Sequence, residues 1–182
     1  MTVTRARLAL LIASVAVVAI GAFSVTAIAR VGVHRGFAPE QPLAFSHKLH
    51  AGESQIACLY CHFAASRSRH AGIPPLNVCM NCHAILQKRT RDIERLKESV
   101  QQRRPIAWTR VHVLPDFVYF NHSQHVIGNV ACRECHGAVE TMERVRQEAP
   151  LTMGWCIDCH RARAAAPGAG GVPSIDCGRC HY

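Results

Sequence analysis

Five cysteine pairs, each followed by a histidine, share one spacing: Cys58-Leu-Tyr-Cys61-His62, Cys79-Met-Asn-Cys82-His83, Cys132-Arg-Glu-Cys135-His136, Cys156-Ile-Asp-Cys159-His160 and Cys177-Gly-Arg-Cys180-His181. They account for all ten cysteines of the chain. A CxxC pair alone suits a zinc ribbon or a redox-active dithiol. With 12 histidines in 182 residues, a histidine after all five pairs has a chance probability on the order of one in a million, which selects the c-type haem attachment motif. The chemistry explains the spacing. Two thiols add to the two vinyl groups of one porphyrin, and a two-residue spacer lets them reach both edges. The next residue then lies under the iron, where its imidazole becomes the proximal ligand. The motifs predict five covalently bound haem c groups, with His62, His83, His136, His160 and His181 as proximal ligands.

Each iron has a second axial position on the opposite face of the porphyrin. A protein atom there makes a closed electron carrier, whereas an open position binds small ligands or substrates. Seven histidines remain as candidates for that position, namely His34, His47, His50, His70, His112, His122 and His125. Four of them form two matched phrases, "FSHKLH" from Phe45 and "FNHSQH" from Phe120. Histidines three apart share one face of a helix, so they reach two different irons more easily than opposite faces of one. His47, His50, His122 and His125 are therefore expected as distal ligands of four haems. His112, ten residues before His122, is the first expectation for the fifth, with His70, His34 and Met153 as alternatives. A methionine ligand would raise the potential of its haem. Multihaem reductases are often marked by a lysine in place of one proximal histidine; all five motifs here end in histidine, which favours electron transfer over substrate catalysis.

The elements that position these residues repeat. "FSHKLH" precedes Cys58, and the next attachment motif starts 21 residues after that one; "FNHSQH" precedes Cys132, and the next starts 24 residues later. The domain reads as two modules of the form FxHxxH–CxxCH–CxxCH plus a fifth motif near the C-terminus. Between the modules, Ala84 to Arg104 reads as one amphipathic helix, with Leu86, Ile93, Leu96 and Val100 on one face and Pro105 as its stop. Ala164 to Ser174, "AAAPGAGGVPS", reads as a flexible linker to the last motif. Strand signal is poor apart from a short apolar run at 117–120. The expected fold is mainly α with much irregular structure, because porphyrins would supply most of the buried apolar surface.

The first thirty residues differ in composition. Leu8 to Ala29 contains no charged residue, and as a helix those residues span roughly 33 Å, enough to cross a bilayer. Ala27-Ile28-Ala29 resembles a signal-peptidase site, but a signal h-region is usually only about 7–15 residues long, so a retained anchor is expected. Arg5 and Arg7 against Arg30 and Arg35 give the positive-inside rule nothing to decide. Haem attachment outside the bacterial cytoplasm does decide: residues 1–30 are expected as cytoplasmic N-terminus and transmembrane helix, and residues 31–182 as a periplasmic pentahaem domain at the inner membrane. The net charge of +9 suggests nucleic acid at first sight. Ten haem propionates would offset it, and 18 Arg against 3 Lys suits carboxylates, which guanidinium groups bind in a fork. No nucleic-acid partner is expected.

The phrases "FSHKLHAGESQIACLYCH", "AGIPPLNVCMNCH", "PIAWTRVHVLPDFVYFNHSQHV", "PLTMGWCIDCHR" and "CGRCHY" closely resemble the pentahaem cytochrome c subunit of alternative complex III, a bacterial quinol:electron-acceptor oxidoreductase. The resemblance covers essentially Phe45 to Tyr182, and its haem-binding part is similar to the cytochrome c3/c7 class, in which FxHxxH supplies distal ligands. It implies a chain that is no enzyme by itself but relays electrons. An integral membrane quinol-oxidising subunit and an iron–sulfur subunit would supply them, and a monohaem cytochrome c or a terminal oxidase would receive them. A stand-alone, membrane-anchored multihaem quinol dehydrogenase is the alternative.

Overall fold

In a computed structural model of the chain, residues 2–29, 33–87, 89–165 and 172–181 are described. Contacts divide the chain into two units, Met1–Val33 and His34–Tyr182. The first carries helix α1, Thr2–Ala29, 28 residues long. Its stretch Thr4–Ile28 is the one described helix long and apolar enough to cross a membrane. Leu8, Leu11, Val15, Val18, Phe23 and Val25 are all exposed around it, so no polar face is left to meet water. The hydroxyls of Ser14 and Thr26 donate back to the carbonyls of Leu11 and Phe23, at 2.9 and 2.8 Å. Such back-bonding satisfies polar side chains inside an apolar medium.

The second unit is mainly helical, with no strand among the described residues. Its helices are α2 (Cys58–Cys61), α3 (Leu76–His83), α4 (Arg91–Gln101), α5 (His122–Ile127), α6 (Cys132–His136) and α7 (Met153–Ala164). A π-helical turn spans Lys48–Glu53, and 3₁₀ turns span Phe63–Ser66, Val139–Thr141 and Cys177–Arg179. The apolar run at 117–120 makes no strand of its own; it contributes one antiparallel bridge, Val118 to His181.

The amphipathic stretch is shorter than the sequence pattern suggests. Thr90 starts the helix, its hydroxyl accepting from the Ile93 amide at 3.3 Å, with Asp92 and Glu94 in the first turn, where carboxylates favour the helix dipole. Leu86 lies before this cap and is 51 % exposed, while Ile93 and Leu96 are buried. The helix ends before Pro105 is reached, because Arg103 turns left-handed at φ 53° and the Arg104 amide bonds back to Ser99 O at 2.9 Å. That is a Schellman-type stop with arginine where glycine is usual. Most of the expected linker, residues 166–171, lies outside the described residues.

Buried apolar side chains are few: Leu43, Ala65, Ile93, Leu96, Met142 and Ala149 among the described residues. Side-chain amides take over part of the work of a core. Gln147 is fully buried; its Oε1 accepts from the Val113 amide at 3.1 Å and its Nε2 donates to Ala149 O at 3.1 Å. Its backbone exchanges bonds with residues 36 and 37, Gly36 N to Gln147 O at 2.7 Å and Gln147 N to Phe37 O at 3.0 Å. Gln41 grips Thr109 in the manner of a strand partner, Nε2 to Thr109 O at 3.0 Å and Thr109 N to Oε1 at 2.9 Å.

The two modules exchange equivalent turns. The turn that begins at His47 docks on the segment after the third CxxCH: Lys48 N donates to Met142 O at 3.0 Å, and Lys48 Nζ pairs with Glu143 at 3.3 Å. Helix α5 docks on the segment after the first CxxCH: Ser123 N donates to Ser68 O at 3.1 Å, and His122 N to Arg69 O at 3.1 Å. Gly52 sits so close to the Glu140 carbonyl that a Cβ there would collide with it. The close approach of the two backbones requires glycine.

Candidate haem sites

Each CxxCH motif lies on a helical turn, which puts its two cysteines, three residues apart, on one face. All ten thiols are unpaired. Burial, then neighbouring Cys159, pushes Cys135 up to about 11. Burial also raises Cys61, Cys79, Cys132 and Cys156. Unreacted, these five cysteines are held as neutral thiols at pH 7.

The histidines meet in four facing pairs. His47 and His62 have ring centroids 6.4 Å apart, and His122 and His136 also 6.4 Å, with planes within 6° and 10° of parallel. His50 and His83 are 6.1 Å apart at 50°, and His125 and His160 are 6.1 Å apart at 42°. Every pair joins one FxHxxH histidine to one CxxCH histidine. An imidazole nitrogen ligates a first-row metal at about 2 Å. Its ring centroid lies about 1 Å further out, so two imidazoles on opposite faces of one metal have centroids about 6 Å apart. The spacing fits an iron between each pair. Among the described residues no group of three or more His, Cys, Asp or Glu is arranged to hold a metal; paired ligands suit a metal whose remaining donors come from a macrocycle.

The outer ring nitrogens support the same fit. Nδ1 of His50, His62, His122, His125 and His160 faces the carbonyl of Ser46, Gly72, Arg69, Asn121 and Ser174, at 2.8, 2.7, 2.8, 2.8 and 2.6 Å. A carbonyl only accepts, so each Nδ1 carries its proton and each Nε2 keeps its lone pair for a metal. Among the described residues, three buried side-chain nitrogens have no hydrogen-bond partner: Nδ1 of His47, Nδ1 of His83 and Nε of Arg69. Arg69 lies beside the His122 site through its own carbonyl, with its guanidinium 3.7 Å over the Tyr119 ring. That group suits the propionate of a porphyrin. Burial holds His47 and His136 down to about 4, reinforced by His62 for the first and His112 for the second. Burial likewise lowers His83, His112 and His125. Neutral imidazoles are ligand-ready.

Spacing alone assigns no role to the phenylalanine of the distal motif, and the structure does. Phe45 lies between its histidines, edge-on to His47 at 4.9 Å and 82°, and stacked on His50 at 4.3 Å and 22°. Phe120 is likewise edge-on to His122 at 4.7 Å and 88°, and lies tilted over His125 at 4.5 Å and 32°. Their repetition in both phrases was the available signal.

His112, expected over the fifth site, stands elsewhere. Its Nε2 lies 3.1 Å from Nδ1 of His136, with the rings 4.3 Å apart and near perpendicular at 79°. Gln41 and Gln147 hold the backbone on either side of it, at Thr109 and Val113, and so aim it at the third motif. His34 stands edge-on to Phe37, His70 is exposed, and Met153 is 63 % exposed at the start of α7. Among the described residues no second imidazole is paired with His181. Its ring lies 5.8 Å from that of Phe117, its Nδ1 3.3 Å from the Phe117 carbonyl, and Tyr119 N donates to Cys180 O at 2.6 Å.

Parts of the chain are similar to known proteins. Residues 118–182 match the family model described as cytochrome c7 and related cytochrome c, a segment that contains the second FxHxxH phrase and the last three CxxCH motifs. Over 98 residues the chain is 31 % identical to the menaquinone reductase, multiheme cytochrome c subunit, of Nitratidesulfovibrio vulgaris (strain Hildenborough). The alignment covers 53 % of this chain and 46 % of that protein, about half the length of the curated relative it matches. The second unit is mainly helical, and its residues 118–182 are similar to cytochrome c7, a likeness that implies covalently bound haem c.

Proposed function

We propose that the chain is a membrane-anchored pentahaem electron relay of a quinone-linked respiratory complex. The four facing imidazole pairs carry this reading: an iron closed on both faces exchanges electrons and offers a substrate no position. Bound haem c supplies a one-electron couple at each site. The chain's own residues attach and orient it. Ten cysteines form the thioethers, and His62, His83, His136, His160 and His181 are the proximal ligands. His47, His50, His122 and His125 are the distal ligands, steered by Phe45 and Phe120. Helix α1 holds residues 31–182 on the periplasmic face of the inner membrane.

The resemblance to the alternative complex III subunit and the match to a menaquinone reductase subunit support the same kind of setting. An integral membrane subunit exchanges electrons with quinone, an iron–sulfur subunit connects it to this chain, and a monohaem cytochrome c or a terminal oxidase lies beyond. Gentle solubilisation with identification of co-purifying subunits tests it. Those subunits together with five haems per chain by pyridine haemochrome are expected. A lone pentahaem chain that oxidises quinol would establish the stand-alone dehydrogenase instead, and a count other than five would overturn the assignment of the motifs.

A further inference from the structure

We propose that His112 is a positioning residue that sets the electron affinity of the His122/His136 site by accepting the Nδ1 proton of His136. The inference rests on the reading of His136 as an axial ligand. With Nε2 of His136 committed to iron, the Nδ1 that meets His112 Nε2 at 3.1 Å carries the proton. His112 Nε2 is then the acceptor. The near-perpendicular rings form an N–H···N bond between two half-buried imidazoles, where low dielectric strengthens it.

The duplicated module provides an internal comparison. His62, the equivalent proximal histidine, donates to the backbone carbonyl of Gly72 at 2.7 Å; His160 donates to Ser174 O, and His181 Nδ1 faces Phe117 O. Among the described proximal histidines only His136 meets a side-chain nitrogen. An imidazole nitrogen, with a reference pKa of about 6.5, is a far stronger base than an amide oxygen. A stronger acceptor pulls the proton away from His136 and gives its ring more anionic character. The ligand becomes more basic, and a more basic ligand favours the oxidised metal. The sites of His47/His62 and His122/His136 share ligand type, ring spacing and near-parallel planes. His112 makes these two otherwise matched sites unequal, so that an electron crossing from one module to the other meets a step in potential. The step is built in, because Gln41 and Gln147 clamp the backbone at Thr109 and Val113.

Two measurements test this. In the reduced, diamagnetic wild-type protein labelled with nitrogen-15 at histidine, we expect a scalar coupling across the hydrogen bond between His136 Nδ1 and His112 Nε2, with the proton attached to His136. A proton on His112 Nε2, or no coupling, overturns the proposal without any mutation. In a spectroelectrochemical titration, His112→Leu should make one of five haems easier to reduce, on the order of tenfold in its equilibrium constant, equivalent to about 59 mV for one electron. His112→Gln, which keeps a weaker acceptor, should shift the same haem less. Both variants should retain the wild-type haem count and low-spin spectrum. An unchanged titration in a fully loaded His112→Leu protein overturns the proposal alone. Wild-type protein without four bis-histidine, low-spin haems would instead remove the ligand reading beneath it.

Discussion

Phenylalanine is the one fixed residue of FxHxxH that cannot ligate, yet it decides how the ligands lie. Because Phe45 stacks on His50 and Phe120 lies tilted over His125, each standing edge-on to the first histidine of its phrase, the two imidazoles of a phrase are turned differently. The outcome repeats in both modules. First histidines face their partners at 6° and 10°, second histidines at 50° and 42°. The angle between axial imidazole planes governs the splitting of the iron d orbitals. Electron paramagnetic resonance of the oxidised protein should therefore show two classes of bis-histidine signal, two haems in each. The tilted class should have the larger maximum g value. Phe120→Leu should alter one member of each class while Phe45 preserves the others; four identical signals would contradict the wedge role. The candidate ligands could be named from sequence because the attachment motif and the distal phrase each lie within a few residues. The role of His112 could not. Its partner lies 24 positions on, and the residues that aim it, Gln41 and Gln147, look like ordinary polar residues until their amides are seen gripping backbone.

At the scale of elements, the described unit is held less by helix packing than by irregular segments fastened through backbone. Gln147 is the clearest fastening, since it joins residues 36–37, 113 and 149 from a fully buried position. Gln147→Leu keeps similar bulk but strands the Val113 amide and the Ala149 carbonyl. Leaving a buried polar group unpaired costs about 1–3 kcal/mol, so thermal unfolding of the haem-loaded protein should occur at a clearly lower temperature. A variant as stable as wild type would show that the amide contributes nothing. Short helices on the CxxCH motifs and α4 were readable from pattern. The extent of α4 was not, because Thr90 competes successfully as a cap and Arg103 adopts a left-handed turn. Neither choice leaves a trace in hydrophobic periodicity.

For the whole haem-binding unit, the ligand phrases imply an order. His47 and His50 tie the first site to the second, and His122 and His125 tie the third to the fourth. The docked turns bring the first and third together. The fifth joins the second module through the Val118–His181 bridge, and the fourth through the contact of His160 Nδ1 with Ser174 O, three residues before Cys177. The proposed path runs second, first, third, fourth, fifth, with its terminals at His83 and His181. His47→Met tests the order, since a thioether raises the potential of the first site. Its earlier reduction places an electron beside its neighbours, and charge interactions weaken with distance. Two other haems, the second and third, should become harder to reduce, with the fourth and fifth little changed. A response centred on the fourth or fifth would refute the sequence of sites.

The swap of turns between the modules also bears on ancestry. Equivalent halves that each complete the other make the contacts of a two-fold dimer. A shorter ancestral chain with one FxHxxH and two CxxCH motifs could make the shared backbone bond, seen here as Lys48 N to Met142 O and Ser123 N to Ser68 O, twice over by pairing with a second copy of itself. Joining the copies through α4 would then have fixed the dimer in one polypeptide and let its two halves differ. The histidine that leans on His136, with Gly72 O in its place at His62, is one such difference: a two-fold symmetric pair cannot tell its halves apart, and a single chain can.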